Sequence, residues 1–465
     1  MNTLSLAWRN LLRNRRRSLM TLTAMVLGIV AVLLFGGYVR DINYGLQSDY
    51  VRSSGHLQIQ HRGYFSVGSG NPAAYGIAGY ERIIATVKQD PVLAPMLTVV
   101  TPTLQFGAIA GNFAASVSRT VFVGGMVVED QRRMREWNDY QQLILSPPLP
   151  LSGTSADTAV IGTGVARVLQ LCSQLAVQGC LSDRVKSEST GPELPADIAA
   201  LSIEGRPAIS ASPNTGRPRI EILAANARGA PNVAAVTVLR AEAQPLKEFD
   251  DVYVGLHLSQ AQKLMFGAGP PQVTAIALQL QHTAQMPAAR ERLAQILRTS
   301  FKSDPLEILD YETLNPFYGQ AMSMFSAIFG FISILIGAIV LFTVTNTMSM
   351  AVVERTVEIG TLRAIGLRRG GIRAMFVSEG VVLGCFGAVI GTGTAFGLAW
   401  FINQLVLTWI SPGRVEPVPL AIRMAGEYGM LIVCSTGLVL LAALSAIIPA
   451  ARAARMNIVD ALRHA

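Results

Sequence analysis

Four long apolar runs constrain this 465-residue chain more than any other feature of its sequence. Charged residues are absent from Leu19 to Val39, Thr313 to Val353, Gly380 to Ile410 and Tyr428 to Ala451. As a helix, the first run would be about 31 Å long, against a hydrocarbon core of roughly 30 Å. A single run of this kind could be a buried core helix. Four of them, with arginines crowded near their ends, predict four transmembrane helices.

The overall composition agrees with a membrane protein that also carries a large polar part. Hydrophobic residues make up 51% of the chain and charged residues 15%, with a mean hydropathy of +0.39. An average soluble domain has about 25% charged residues. The net charge of +8 could suggest a nucleic-acid partner, but the lysines all lie in the central region and arginines gather beside the apolar runs. We therefore interpret the basic charge as a topology signal and expect no nucleic-acid partner.

The distribution of arginine predicts which side of the membrane each segment faces. Five arginines and no acidic residue lie in 1–18, five arginines lie in 354–373, and three follow Ala451. The connection 411–427 has two arginines and two glutamates. Loops rich in Lys and Arg stay in the cytoplasm. Both termini and the 354–373 connection are thus predicted to be cytoplasmic, and 40–317 to lie outside.

These signals divide the chain into a predicted series of parts. They are an interfacial helix (1–18), transmembrane helix 1 (19–39), an outer domain (40–317), a stalk with transmembrane helix 2 (318–353), a cytoplasmic helix (354–373), transmembrane helix 3 (374–410), a short outer loop (411–427), transmembrane helix 4 (428–451) and a cytoplasmic tail (452–465). A cleaved signal peptide is the alternative for the N-terminus. The first apolar run is longer than a typical signal-peptide core and no A-x-A site follows it, so we expect an uncleaved anchor.

The outer domain is predicted to have an α+β fold, because strand-like and helix-like segments mix along it. Strands are expected near 56–60, 97–100, 120–123, 159–161, 233–239, 252–254, 275–280 and 306–309, and helices near 81–89 and 287–299. Cys172 and Cys180 are a candidate disulfide if this domain is in an oxidising compartment, and two free thiols are the alternative. No Cys/His cluster has metal-ligand spacing, so no metal site is predicted.

The connection between the second and third apolar runs has helical periodicity. Ile359, Leu362 and Gly366 recur at i, i+3 and i+7, while Glu354 and Glu358 lie four apart on another face. An arginine-rich helix between two spans would lie at the cytoplasmic surface. A solvated anchoring loop is the alternative that charge alone leaves open.

The order of residues in this connection, ERTVEIGTLRAIGLRR, continues to Phe376 and Glu379. It resembles the coupling segment of ABC-transporter permeases of the FtsX/MacB/lipoprotein-release superfamily, in which a short helix docks into a groove of a cytoplasmic ATPase. The resemblance implies that the docking residues are Glu354, Arg355, Glu358, Ile359, Gly360, Leu362, Arg363 and Gly366. The segment from Pro449 to Arg463 resembles the family's terminal motif.

Two stretches of the outer domain are similar to strands of the MacB-like periplasmic core, namely Ala159 to Ala166 and Asp251 to Leu256. This resemblance implies a porter-like part at about 45–115 and 265–317 that flanks an inserted subdomain at about 116–264. The fold class implied for the whole chain is a membrane α-helical protein with four transmembrane helices. A large α+β periplasmic domain would be inserted between the first and second of them.

The third apolar run contains two glycine pairs with GxxxG spacing. They are Gly387 with Gly391, and Gly393 with Gly397. Glycines at this spacing allow two helices to approach closely in a membrane. We expect them to serve helix packing or dimerisation.

The sequence contains no recognisable energy source or catalytic group. A P-loop needs Gly-Lys-Ser/Thr, and no lysine in this chain follows a glycine. We therefore expect no enzyme activity and no cofactor in this chain, with ATP and Mg bound by a partner ATPase. Almost no ionisable residue lies within the apolar runs, which disfavours ion-coupled transport.

The resemblance implies an inner-membrane permease subunit that moves its substrate by mechanotransmission. Its implied partners are an ATPase dimer and a second permease copy, identical or related. Two segments, Ala7 to Asn14 and Ser54 to Ile59, look more like lipoprotein-releasing permeases than like MacB-like ones. Lipoprotein release is therefore the leading expectation, with a lipoprotein and its carrier as further partners. MacB-like efflux of drugs, peptides or toxins, with a periplasmic adaptor and an outer-membrane channel, is one alternative. An FtsX-like regulator of cell-wall hydrolases is another.

Overall fold

The computed structural model describes residues 15–142, 149–178, 216–410 and 417–457. These residues form two compact units. The membrane unit contains residues 15–46, 317–409 and 418–457, and the mixed unit contains the described residues of 47–316 together with 410 and 417. The predicted interfacial helix falls largely on residues 1–14, outside the described part.

The α-helices are, in chain order, α1 (Arg15–Ser54), α2 (Tyr64–Val67), α3 (Tyr80–Gln89), α4 (Val128–Arg135), α5 (Thr163–Val168), α6 (Cys172–Leu175), α7 (Lys247–Asp250), α8 (Leu258–Phe266), α9 (Met286–Ser300), α10 (Tyr311–Leu314), α11 (Pro316–Glu354), α12 (Thr356–Ala364), α13 (Arg369–Gln404) and α14 (Tyr428–Arg455).

The strands are β1 (Leu57–His61), β2 (Ile77–Ala78), β3 (Leu97–Asn112), β4 (Val117–Met126), β5 (Thr158–Ile161), β6 (Arg219–Ala225), β7 (Pro231–Ala241), β8 (Tyr253–His257), β9 (Gln272–Val273), β10 (Ala275–Leu280), β11 (Leu306–Asp310), β12 (Thr408–Trp409) and β13 (Val418–Pro419).

In the described part of the chain, four helices are long and apolar enough to cross a membrane: α1, α11, α13 and α14. α1 and α14 contain the apolar runs that begin at Leu19 and Tyr428, and α11 and α13 cover most of the runs that begin at Thr313 and Gly380. A helix is the only single segment that satisfies all its backbone hydrogen bonds in lipid. The predicted third span was expected to reach residue 410, but α13 ends at Gln404. α1 continues past the predicted end of the first span at Val39 as far as Ser54. The helix does not stop at Arg40 because a charged side chain ends an apolar run without interrupting the backbone hydrogen bonds.

The membrane unit is held together by close helix packing. Met25 and Leu33 of α1, Val344 of α11, Leu383 of α13 and Ala442 of α14 are fully or almost fully buried in one apolar cluster. α13 and α14 approach closely where α13 has glycine. A Cβ added at Gly384 would lie 3.0 Å from Ala442 Cβ. The four helices thus form a packed bundle rather than separate spans.

The mixed unit is built on one continuous nine-stranded sheet. The strand order is β11-β1-β10-β3-β4-β8-β5-β7-β6, and β6 also pairs with β3. That last pairing, which sets Ile109 opposite Leu223, closes β3, β4, β8, β5, β7 and β6 into a barrel. The unit is therefore an open sheet that continues into a closed barrel.

β3 belongs to both parts of this sheet. Its residues 97–103 pair with β10, and its residues 103–112 pair with β4. The sheet runs without a break through the predicted boundary between the porter-like part and the inserted subdomain. The division into these two parts therefore stays a prediction. All the predicted outer-domain strands are strands in the structure, most of them longer than expected.

Candidate functional site

The short helix α12 lies between the second and third membrane helices of the bundle. The chain breaks from α11 at Arg355, whose φ of −106° and ψ of 19° are not helical, and α12 starts at the next residue. It ends in a Schellman motif: the Leu367 amide donates to the Leu362 carbonyl and the Gly366 amide to the Arg363 carbonyl. Gly366 has a φ of +105°, which glycine adopts at little cost. Both ends of α12 are thus fixed by local backbone geometry.

One face of α12 packs into the bundle. Ile359 is 1% exposed and belongs to an apolar cluster with Val352 of α11, Phe376 of α13, and Ala450 and Ala453 of α14. Burying a side chain of this size contributes roughly 1.5–3 kcal/mol. The cluster therefore holds α12 against the ends of three membrane helices.

Polar contacts add ties between this connection and the neighbouring helices. Arg17 of α1 pairs with Glu354 at the end of α11. Arg355 donates through Nη1 to Glu379 Oε1 of α13 at 2.8 Å. Arg363 donates to the Met456 carbonyl, just after α14. The connection is thus bonded, directly or through the residues beside it, to the other helices of the bundle.

The α12 connection also carries exposed side chains, three of them apolar, that lie outside the buried cluster. We call this set the α12 outer face and define it by Val357, Thr361, Ile365 and Leu367. The exposed fraction is 41% for Val357, 80% for Ile365 and 41% for Leu367, and Thr361 is also exposed. A group of exposed apolar side chains, unlike a single one, is typical of a surface that meets another molecule.

The structure places the predicted docking residues in different environments. Arg355, Ile359 and Gly360 are buried, Glu358, Leu362 and Arg363 are half-buried, and Glu354 and Gly366 are exposed. Gly366 does not share the helical face of Ile359 and Leu362, because α12 ends at Ala364. The predicted set therefore mixes residues that anchor the helix with residues that a partner can reach.

Sequence reasoning missed two groups of residues at this site. The α12 outer face was not singled out, although apolar Val357, Ile365 and Leu367 among charged residues were a usable signal. The pairing of Arg17 with Glu354 was also missed. It joins residues 337 positions apart, which no local pattern can reveal.

The two glycine pairs of α13 have different surroundings. A Cβ added at Gly387 would lie 3.0 Å from Met25 Cβ, and one at Gly391 would overlap Ile29 Cγ2. Both glycines thus allow α1 to pack against α13 within this chain. At Gly393 and Gly397, no atom lies within 4 Å of an added Cβ among the residues that the structure describes.

Cys172 forms a disulfide bond in the structure. Its predicted partner, Cys180, lies outside the described residues, so the pairing remains a prediction. Within the described ranges, no group of three or more His, Cys, Asp or Glu side chains could hold a metal ion.

These features are those of a multi-pass membrane protein. A short helix is anchored between its second and third spans, and a large mixed α/β insertion follows its first span. Residues 327–458 match the family model of the FtsX-like permease C-terminal domain. This C-terminal part of the chain is therefore an FtsX-like permease domain, and with its four apolar helices the chain is a multi-pass inner-membrane protein similar to ABC transporter permeases of the FtsX/MacB superfamily.

Several curated proteins are similar over part of the chain. ABC transporter permease YtrF of Bacillus subtilis is 35% identical over 29% of this chain. The macrolide export ATP-binding/permease protein MacB of Chromobacterium violaceum is 32% identical over 31% of it. The uncharacterized ABC transporter permease YknZ of Bacillus subtilis is 26% identical over 47% of it. The matched segments span 31%, 20% and 50%, respectively, of these three relatives.

Proposed function

We propose that this chain is a permease subunit that works with a separate ABC ATPase, which docks on the α12 outer face. The observation that carries the proposal is that α12 is fixed on one side to several membrane helices and presents Ile365, 80% exposed, on the other. A movement imposed on such a helix passes to the bundle instead of being absorbed in a loose loop.

The proposal divides the predicted docking residues by role. Arg355, Ile359 and Gly360 hold α12 in the bundle, because they are buried. The ATPase contacts the α12 outer face together with Glu358, whose side chain is 42% exposed. An apolar centre with charged residues around it is the usual anatomy of a protein interface.

The proposed orientation places α12 and both termini in the cytoplasm and the mixed unit in the periplasm. The distribution of arginine supports this orientation, because arginine-rich segments stay in the cytoplasm. Five arginines lie in 1–18 and five in 354–373. The chain passes from the membrane unit into the 47–316 part of the mixed unit through α1 and returns through α11. Mechanotransmission would therefore travel along these two helices to the periplasm.

ATP and Mg would be bound by the partner ATPase, since the sequence has no Gly-Lys-Ser/Thr with which to hold phosphates. The family implies an ATPase partner and a dimer, so we propose two permease copies with two ATPase subunits. Gly393 and Gly397 are candidates for the contact between copies, because the space beside them is open.

Two substrate classes follow from different observations. The resemblance of the N-terminal segment to lipoprotein-releasing permeases supports extraction of a lipoprotein from the outer leaflet. A relative that is 32% identical over 31% of the chain is a macrolide export protein, and this similarity supports export of a small molecule instead. The partners of the complex distinguish the two.

The experiment is purification of the tagged full chain in mild detergent under ATP-trapping conditions, followed by mass spectrometry. The proposal expects an ABC ATPase in amounts comparable with the chain. Acylated lipoproteins in addition would support lipoprotein release, and a periplasmic adaptor with an outer-membrane channel would support export. Recovery of the intact chain with no ATPase would contradict the proposed function.

A further inference from the structure

The residue at the break between α11 and α12 is also the one that holds a buried charge. Arg355 is 5% exposed and its Nη1 donates to Oε1 of Glu379, which is 3% exposed, at 2.8 Å. Glu379 lies in α13, 24 positions along the chain. One side chain thus connects the hinge before α12 to the third membrane helix.

Stability alone does not account for this ion pair. Removing two charges from water is costly, and replacing a buried pair by apolar residues of similar size is often neutral or stabilising. The surrounding apolar cluster, with Ile359 and Phe376, already holds the helices together. The pair also fixes how the start of α12 is oriented relative to α13, because a guanidinium and a carboxylate bond well only in a narrow range of geometries.

The bonding of Arg355 is also incomplete. Among the described residues, its Nε and Nη2 have no hydrogen-bond partner, although both are buried. Glu358 Oε2, one turn into α12, lies 3.8 Å from Nε, too far for a hydrogen bond. A rotation of α12 that shortened this distance would let Glu358 accept a hydrogen bond from Arg355 Nε.

From this geometry we propose that Arg355 is the pivot of α12. Its bond to Glu379 makes α12 and α13 turn together, and Glu358 completes the bonding of Arg355 in a second, rotated position of α12. Arg355 and Glu379 are therefore positioning residues for force transmission. This inference rests on the proposed coupling function of α12.

The test is hydrogen–deuterium exchange of peptides covering 356–365 in the purified full chain. Arg355→Met and Glu379→Gln should each raise amide exchange there by about tenfold, because α12 loses its directional tie to α13. The double variant Arg355→Met/Glu379→Leu removes both charges of the buried pair. It should unfold at the wild-type temperature and still show the raised exchange. Arg373→Met, which removes an exposed arginine of α13, is the matched control and should exchange like wild type.

If either single variant fails to fold, the double variant decides the question. Wild-type exchange over 356–365 in the double variant would overturn the pivot and leave apolar packing as the only tie. The proposed function is tested separately by ATPase co-purification. If wild type binds an ATPase and no variant changes the exchange rate, the pivot proposal is wrong and the proposed function stands. If the variants raise the exchange rate but wild type binds no ATPase, the proposed function is contradicted. In that case Arg355 still holds α12 to α13.

Discussion

At the scale of single residues, the structure separates glycines that look alike in the sequence. Gly391 and Gly393 are two positions apart in α13. An added Cβ would overlap the β-branched side chain of Ile29 at Gly391, and would meet nothing within 4 Å among the described residues at Gly393. Ile29 is itself 3% exposed and has little room to move. Only the first of these two glycines is required by the packing of α1 against α13.

We therefore expect Gly391→Ala to destabilise the bundle by roughly 1–3 kcal/mol, the usual cost of overpacking. Gly393→Ala should leave stability unchanged or raise it slightly, because alanine is the better helix former. Thermal unfolding of the two purified variants in the same detergent measures this difference. Equal melting temperatures would show that α1 and α13 do not meet at Gly391.

His56, in the mixed unit, is a buried histidine that the fold keeps neutral. Its Nδ1 accepts from the Leu280 amide at 3.0 Å and its ring lies edge-on to Trp137. Burial lowers the pKa of His56 from 6.5 to about 4, although the nearby Asp139 carboxylate opposes the shift. The folded chain thus resists a proton that the unfolded chain takes up near pH 6.5.

The sign of the pH dependence follows from that lowered pKa. The stability that neutral His56 provides is fully present above about pH 6.5 and falls as the pH drops towards 4, by up to about 3 kcal/mol. Below pH 4 both states are protonated and the loss stops. Unfolding followed by circular dichroism from pH 7.5 to 4 should show this component in wild type and not in His56→Gln. Parallel curves for the two proteins would contradict it.

At the scale of secondary-structure elements, α12 depends on how it ends. Gly366, with a φ of +105°, turns the chain so that Leu367 can bond back to Leu362 and α13 can begin at Arg369. A residue with a Cβ is strained in this conformation. Gly370, in the first turn of α13, has no such φ and no atom within 4 Å of an added Cβ in the described structure.

Gly366→Ala should therefore loosen the end of α12, at a cost of about 1 kcal/mol or more. Hydrogen exchange over 362–368 should rise several-fold in that variant and remain at the wild-type level in Gly370→Ala. If both substitutions act alike, the turn at Gly366 is not what fixes the end of α12.

Elements are also where the sequence was most informative. The apolar runs that begin at Leu19, Thr313, Gly380 and Tyr428 indicated helices, because a charge-free segment of that length has few alternatives. The extension of α1 to Ser54 was not predicted, since charged residues from Arg40 onwards ended the apolar pattern. The closure of the barrel was not predictable either. The pairing of Ile109 with Leu223 joins distant strands, and no local pattern specifies it.

The candidate site was predictable in position and only partly in detail. The stretch from Glu354 to Arg369 resembles a coupling segment, and this resemblance indicated where α12 lies. It did not distinguish Ile359, which is 1% exposed, from Ile365, which is 80% exposed. Burial on a short helix depends on which helices surround it, and that is a property of the tertiary fold.

At the scale of the whole molecule, the chain combines a membrane unit of an established family with a large mixed unit in a single polypeptide. The C-terminal match to the FtsX-like permease domain, over residues 327–458, covers α12. The central claim is that an ABC ATPase binds the exposed side of the α12 connection, while the buried side fixes the helix to the bundle.

The most direct measurement compares ATPase binding by wild type, Ile365→Glu and Leu407→Glu. Ile365 and Leu407 are both exposed apolar residues, and only Ile365 belongs to the α12 outer face. We expect Ile365→Glu to weaken ATPase co-purification at least tenfold, since a carboxylate replaces an apolar anchor, with no change in melting temperature. Leu407→Glu should bind like wild type. An Ile365→Glu chain that retains its ATPase in full would contradict the claim.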